Sequence, residues 1–379
     1  MTASSGQSRT RRRSPTKIFG QIRLIRHTIA LFVLISIADL LLLVALLIKP
    51  FSEARSWALA CWTGEWFWTY MQKHWEVDLN AEPAVEVSGD ELPKGESAFV
   101  LCNHLGYSDY YLIQYLSSRA GMLGQSRYFV KKEILRIPLF GLAFWAFDKS
   151  DILTLFYGIY LRHDPHLEKL DERPATARVG PIISLHFSLT ICKRDYNRGM
   201  ADLVCVEDES TDETVDSSLY LLPTPRQAFS RITANAHDSW IILYPEGTRR
   251  TPKKLLQSQA FARKNGKPEL DHLLFPRTKG FVATVQALRN SHINHIYDLT
   301  LLYSSPGGLK TQYAVPNLAE ILSCDDLHKR GYGFRIHVRR IPIDTLPQDE
   351  SGLKAWCEDT WAQKDQLLDG MMNRDLLRN

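Results

Sequence analysis

Residues 100–111 read VLCNHLGYSDYY. An apolar run stops at Asn103-His104, and Asp109 follows five positions after the histidine. Neither polar group belongs in a core unless something compensates it. On an uninterrupted helix five residues lie about 140° from a shared face, so His104 and Asp109 meet only if the chain turns between them. Leu-Gly-Tyr-Ser supplies that turn, with Gly106 free to take dihedrals closed to other residues. The run before it reads as a strand. SDYYLIQYLSS after it reads as a helix with Ser108 at its N-cap and Leu112, Ile113 and Leu116 at helical spacing. The end of a strand and the start of a helix is where α/β sheets hold their sites. There the positive end of the helix dipole favours an anionic Asp109, which can accept an N–H from one imidazole nitrogen and leave the other free as a base.

Spacing alone carries little, because His166 and Asp171 repeat it within an irregular stretch. Context separates the two pairs. What such a base activates follows from its neighbours. Ser108 lies in GYSDY, which misses the G-x-S-x-G elbow, so a serine hydrolase is disfavoured. A His-Asp pair without a nucleophile of its own can deprotonate a hydroxyl on the substrate, which means direct transfer to an alcohol.

A second constellation is YPEGTRRTPKK, residues 244–254, where the apolar run WIIL meets a Pro-Glu-Gly break with Arg249 and Arg250 beyond it. Arginine grips phosphate through a planar fork of donors, and glycine lets backbone approach a ligand. The bland alternative is a surface turn with solvated charges. A third stretch, LLFPRTKGF at 273–281, again sets Arg277 and Lys279 after apolar residues. Three basic interruptions at strand ends favour a phosphate-bearing substrate.

Working outward, AVEVSG, SAFVLC, SRYF, WIIL, IYDLTLLY and FRIHVRRIPI read as strands, and GLKAWCEDTWAQKDQLL as an amphipathic helix. Their alternation predicts an α/β fold, a central mixed sheet flanked by helices. Upstream, residues 29–48 are twenty positions with one charge, Asp39. As a helix they are about 30 Å long, enough for a bilayer core. The rival, a signal peptide, has a shorter apolar region of roughly 7–15 residues. Residues 9–26 hold seven Lys or Arg and no acid, the pattern of a cytosolic membrane flank. The following segment carries Trp57, Trp62, Trp66, Trp68 and Trp75. Tryptophan collects at headgroup level, so this segment reads as the second arm of an N-terminal membrane-associated helical hairpin that returns the chain to the cytosol. A tryptophan-rich packing helix is the alternative.

The 379-residue chain, with a net charge of +4, divides into a basic, disordered cytosolic arm (1–27), the hairpin (28–75), a catalytic domain (76–345), and a C-terminal amphipathic helix and tail (346–379). Within the domain, residues 148–189 form an irregular insert and 205–218 an acidic loop. The six cysteines are scattered with no C-x-x-C pair, and no Asn-x-Ser/Thr acceptor occurs. That disfavours a zinc site, a disulfide framework and a glycosylated lumenal domain. No aromatic-basic interleaving points to nucleic acid.

Together, NHLGYSD, YPEGTR and KKEILRIPLFG resemble the motifs of the glycerophospholipid acyltransferase family, specifically lysophosphatidic acid acyltransferases. LLFPRTKGF, IYDLTLLY and RRIPIDTLP resemble a subgroup that includes lysophosphatidylinositol and lysocardiolipin acyltransferases. The resemblance spans about residues 42–368, apart from the insert, which reads as a lineage-specific loop or a retained intron. It implies that His104 is the base acting on the acceptor's sn-2 hydroxyl and that Asp109 orients it. Asn103, Glu246, Gly247, Thr248 and Arg249 are implied as substrate-binding residues, with Lys131, Arg277 and Lys279 on substrate phosphates. It further implies acyl-CoA as co-substrate with no bound cofactor or metal, membrane lipids as partners, and an endoplasmic reticulum location facing the cytosol.

Overall fold

The computed structural model describes residues 15–128, 233, 236–306 and 315–376. The insert, the acidic loop and Lys131 lie outside these residues. Six strands form one sheet: β1 (Val85–Gly89), β2 (Ala98–Cys102), β3 (Ser126–Tyr128), β4 (Trp240–Leu243), β5 (His295–Ser304) and β6 (Gly333–Pro342). Their order is β1-β6-β5-β2-β4-β3. Every pairing is parallel except β5 with β6, so the sheet is mixed, as the sequence predicts.

β2 is the hub. All five of its residues are buried, because β4 and β5 flank it and helices cover its two faces. This explains why AFVLC shows no alternation: a strand buried on both faces reads as a continuous apolar run. Val100 stands opposite Ile242 on one side and Tyr297 on the other. Because β2, β4 and β5 run the same way, their carboxyl ends open on one edge of the sheet. Loops there converge.

Seven α-helices accompany the sheet among the described residues: α1 (Pro15–Ile48), α2 (Glu53–Lys73), α3 (Asp109–Arg119), α4 (Pro252–Lys264), α5 (Thr278–Leu288), α6 (Leu318–Ser323) and α7 (Glu350–Leu376). One face of the sheet packs Val100, Ile242, Leu301 and Phe334 against Leu112 and Leu116 of α3 and against Trp75. The other packs Phe99, Leu101 and Ile241 against Phe281 and Val285 of α5 and Leu353 and Trp361 of α7. The C-terminal helix is therefore the cover of a sheet face, not an appendage to it.

α1 corrects one expectation. Residues 15–27 belong to the helix, not to a disordered arm. Pro15 stands at the first helical position, where its missing N–H costs nothing, and no later proline interrupts the run into the apolar stretch, so the helix continues through Gly20. Residues 18–48 are long and apolar enough to cross a membrane, and Ile25, Ile29, Phe32, Leu40 and Leu47 are exposed along the helix. α1 and α2 do form a hairpin. The Ser56 hydroxyl donates to the Ala45 carbonyl at 2.8 Å, and Leu42 and Ala45 pack on Ala60. The tryptophans of the second arm, however, mostly face protein. Trp75 stacks on Tyr111 in the core, Trp68 lies beside Tyr110, and Trp57 stacks on His237, whereas Trp62 is exposed. Packing accounts for them better than a headgroup belt does.

On the α7 side, a buried ion cluster joins helix to sheet. Lys364, 0% exposed, places its ammonium 2.5 Å from Asp298 of β5 and donates to the Leu299 carbonyl at 2.7 Å. Arg339 of β6 takes the other Asp298 oxygen at 2.7 Å. Removing one partner of such a pair strands a buried charge. Asp298→Asn leaves the fully buried Lys364 ammonium without its counter-charge and is expected to destabilise the protein by about 3 kcal/mol, read by denaturant unfolding in detergent.

Candidate active site

The chain turns between His104 and Asp109 as the spacing requires. His104 Nδ1 lies 2.8 Å from Asp109 Oδ2. The carboxylate is 1% exposed and the imidazole 23% exposed, so the pair has one buried member and one reachable member. A carboxylate only accepts hydrogen bonds, which puts the proton on Nδ1 and leaves Nε2 with its lone pair.

Four donors converge on Asp109. Besides the imidazole, the amides of Leu105 and Gly106 donate at 2.8 and 3.0 Å, and the Tyr303 hydroxyl donates to Oδ1 at 2.9 Å. The first residue of α3 therefore caps the loop that precedes it. Ser108, expected as a side-chain N-cap, has its hydroxyl on the Pro316 carbonyl at 3.0 Å instead. Gly106 needs no positive φ, contrary to expectation. It is glycine for space, since a Cβ there would lie 2.4 Å from Val315 Cγ1.

The strand-end turn after β4 holds His104 from the opposite side. Glu246 Oε1 accepts the His104 amide at 3.1 Å, and the Arg250 amide donates to the His104 carbonyl at 2.8 Å. The Tyr244 ring stacks on the imidazole with centroids 4.3 Å apart. The two motifs, distant in sequence, are thus stitched together through the backbone of the histidine itself.

This arrangement sets two of the residues expected to bind substrate against the protein's own backbone. Glu246 is 2% exposed, with its second oxygen on the Leu274 amide at 3.4 Å, so both of its oxygens meet backbone amides. Asn103 is fully buried and pairs with Leu301 of β5, donating to its carbonyl at 3.0 Å and accepting from its amide at 2.8 Å. It extends the β2–β5 pairing past the strand end. Of the other residues, Gly247 takes φ of +67°, which the tight turn requires. Thr248 Oγ1 accepts from Lys254 Nζ at 2.5 Å. The half-buried Arg249 lies with its guanidinium carbon 3.4 Å from the Tyr107 ring centre and donates to the Tyr107 hydroxyl at 2.7 Å. The Arg277 amide donates to the Pro245 carbonyl at 2.7 Å, which brings residues 273–281 alongside the turn. Arg277 is the N-cap of α5 and Lys279 sits exposed in its first turn, so this third basic stretch opens a helix and does not close a strand.

Sequence reading missed Tyr303 and Tyr244 as neighbours of the pair. Each ends an apolar run on a parallel strand, and that shared position is the only signal they give. Burial, and then Asp109, keep the Tyr303 hydroxyl well above its usual range, so it remains a donor. Burial also pushes the Cys102 thiol up, and that thiol is fully enclosed. Among the described residues no cluster of three or more His, Cys, Asp or Glu could hold a metal ion.

Burial pushes Glu246 up to about 8, although the His104 and Leu274 amides oppose it. A carboxyl raised in the folded state from its ordinary 4.5 contributes stability that is lost as pH rises through the folded value. Glu246→Gln cannot ionise. Its stability relative to wild type is therefore expected to improve steadily between about pH 4.5 and 8, measured by urea unfolding across that range.

The Acyltransferase family model matches residues 84–151, and the Acyltransferase C-terminus model matches residues 327–374. Across 357 residues the chain is 27% identical to the Arabidopsis thaliana protein named "Probable 1-acyl-sn-glycerol-3-phosphate acyltransferase 5", covering 92% of this chain and 73% of that one. It is 28% identical over 271 residues to the Homo sapiens protein "1-acyl-sn-glycerol-3-phosphate acyltransferase delta", covering 71% of this chain and 52% of the relative. It is 35% identical over 129 residues to the Caenorhabditis elegans "Lysophosphatidylinositol acyltransferase 10", covering 34% and 30% respectively. The chain thus spans about half the length of the human relative. No solved structure matches it. The two acyltransferase models match in order, one across the His104 turn and one across β6 and α7, and with these relatives they show a chain similar to the glycerophospholipid acyltransferases.

Proposed function

We propose that the chain moves a fatty acyl group from acyl-CoA to the sn-2 hydroxyl of lysophosphatidic acid, giving phosphatidic acid. The observation that carries this reading is the His104–Asp109 contact, a reachable imidazole backed by a buried carboxylate. The turn offers no nucleophile of its own, because Ser108 is buried on the Pro316 carbonyl and Cys102 is enclosed in β2. A hydroxyl supplied by the acceptor is what remains for such a base to activate.

His104 Nε2 takes the hydroxyl proton as the acceptor oxygen bonds to the thioester carbonyl carbon. The imidazolium then lies against Asp109. Collapse of the tetrahedral intermediate breaks the C–S bond, and the departing CoA sulfur receives that proton. Ester and free thiol result, and the dyad is restored. Acyl-CoA enters as co-substrate, and no resident cofactor is required. Arg249 binds the acceptor phosphate, with Arg277 and Lys279 as further cations on the same side and Lys131 as another that the sequence offers. Gly247 and Thr248 form the turn that presents Arg249. The exposed apolar face of α1 seats the protein in the endoplasmic reticulum membrane, with the site on the cytosolic side.

A second reading, lysophosphatidylinositol as acceptor, is favoured by the name of the Caenorhabditis elegans relative. Purified protein with labelled acyl-CoA and a panel of lysophospholipids separates the two, and absence of transfer to any of them overturns the proposal. His104→Ala is expected to lower the rate roughly 10²–10⁴-fold, the usual worth of a general base. Arg249→Ala is expected to raise KM for the acceptor chiefly, and Arg249→Lys to restore it only in part, because an ammonium cannot reproduce a bidentate fork. An unchanged acceptor KM in the Arg249 variants would remove that residue from the phosphate site.

A further inference from the structure

The turn that clamps His104 is itself held from across the sheet. Residues 271–277 connect the region after α4 to α5 without a ladder of their own, and their amides go elsewhere. Asp365, buried on α7, receives three in succession. Its Oδ2 accepts the Asp271 amide at 2.9 Å, and its Oδ1 accepts those of His272 and Leu273 at 2.8 and 2.9 Å. The next amide in line, that of Leu274, passes Asp365 by and donates to Glu246 Oε2. Three residues further, the Arg277 amide reaches the Pro245 carbonyl. The segment is thus bound to the C-terminal helix at one end and to the site turn at the other.

The direction of these bonds is informative. A carboxylate that served only to bind α7 to its neighbour could do so with a single donor. Converging three consecutive amides fixes the orientation of the peptide that follows, and that peptide holds Glu246. Glu246 in turn holds the amide of His104 at 3.1 Å. Without Asp365, three N–H groups lose their acceptor inside the protein, and the segment has to move to find others. Motion of the segment is motion of the clamp on the base.

We propose that Asp365 is a positioning residue of the acyl-transfer site. It fixes residues 271–277 so that the Leu274 amide holds Glu246 and, through Glu246, the backbone of His104. The inference rests on His104 acting as the base.

The experiment compares wild type, Asp365→Ala, Asp365→Asn and His104→Ala by steady-state kinetics, with acyl-CoA and lysophosphatidic acid in mixed micelles. A misplacement of about 1 Å at a reacting group costs roughly 10²-fold. Asp365→Ala is accordingly expected to lower kcat by roughly 10- to 100-fold, with KM for either substrate changed less than about threefold. Asparagine keeps the oxygen that serves His272 and Leu273 but sets an amide against the Asp271 N–H, so Asp365→Asn is expected to recover only in part, to roughly 3- to 10-fold below wild type. It is isosteric, and it carries the test alone if the alanine variant does not fold. Wild-type kcat in the asparagine variant and in any folded alanine variant overturns the inference. So does a kcat loss no larger than the loss of folded protein seen by circular dichroism. If His104→Ala is inactive while the Asp365 variants are normal, only the positioning role fails. If wild type transfers no acyl group, or His104→Ala turns over normally, the reading of the site fails and the inference with it.

Discussion

The backbone of one residue holds this structure's chemistry in place. His104 gives its amide to Glu246 and its carbonyl to the amide of Arg250, so the turn after β4 grips the turn after β2 at the residue that carries the imidazole. Side-chain contacts then decide what the ring can do. Asp109 orients it and Tyr244 covers one face. Because the grip runs through main chain, it fixes where the side chain starts while leaving the ring partly open.

Parallel pairing makes this grip available. β2, β4 and β5 deliver His104, Tyr244 with Glu246, and Tyr303 to one edge of the sheet. The antiparallel β6, between β1 and β5 in the sheet, then returns the chain to α7, whose Lys364 closes on Asp298 in the interior. Fold and site share these parts, and the helix that covers the sheet also restrains the loop beside the base.

Much of this was legible beforehand, for a physical reason. Strands buried on both faces announce themselves as short apolar runs, so SAFVLC, WIIL and IYDLTLLY were readable, and so were the polar breaks that end them. His104 and Asp109 stood out because they interrupt such runs. Their partners did not. Glu246 looks like a ligand-facing acid in YPEGTR, and only coordinates reveal that its oxygens meet two backbone amides. The pairing of Asn103 with Leu301 is hidden in the same way. Lys364 and Asp365 sit in a stretch that reads as the wet side of a helix, and burial of charge has no sequence signal unless the partner is known. The tryptophans of α2 misled because packing on protein and packing on lipid call for the same side chain.

The parallel layout also sets an order of assembly. His104 is separated from Glu246 by 142 residues, and Asn103 from Leu301 by 198. A ribosome adding about 5–20 residues per second therefore exposes the half-built site for many seconds before its second half exists. During that interval β2 has neither neighbour, and its fully apolar sequence is open to any sheet edge nearby. Capture of the nascent chain by lipid through α1, which is made before β2, would keep that strand apart from other copies until β4 and β5 arrive.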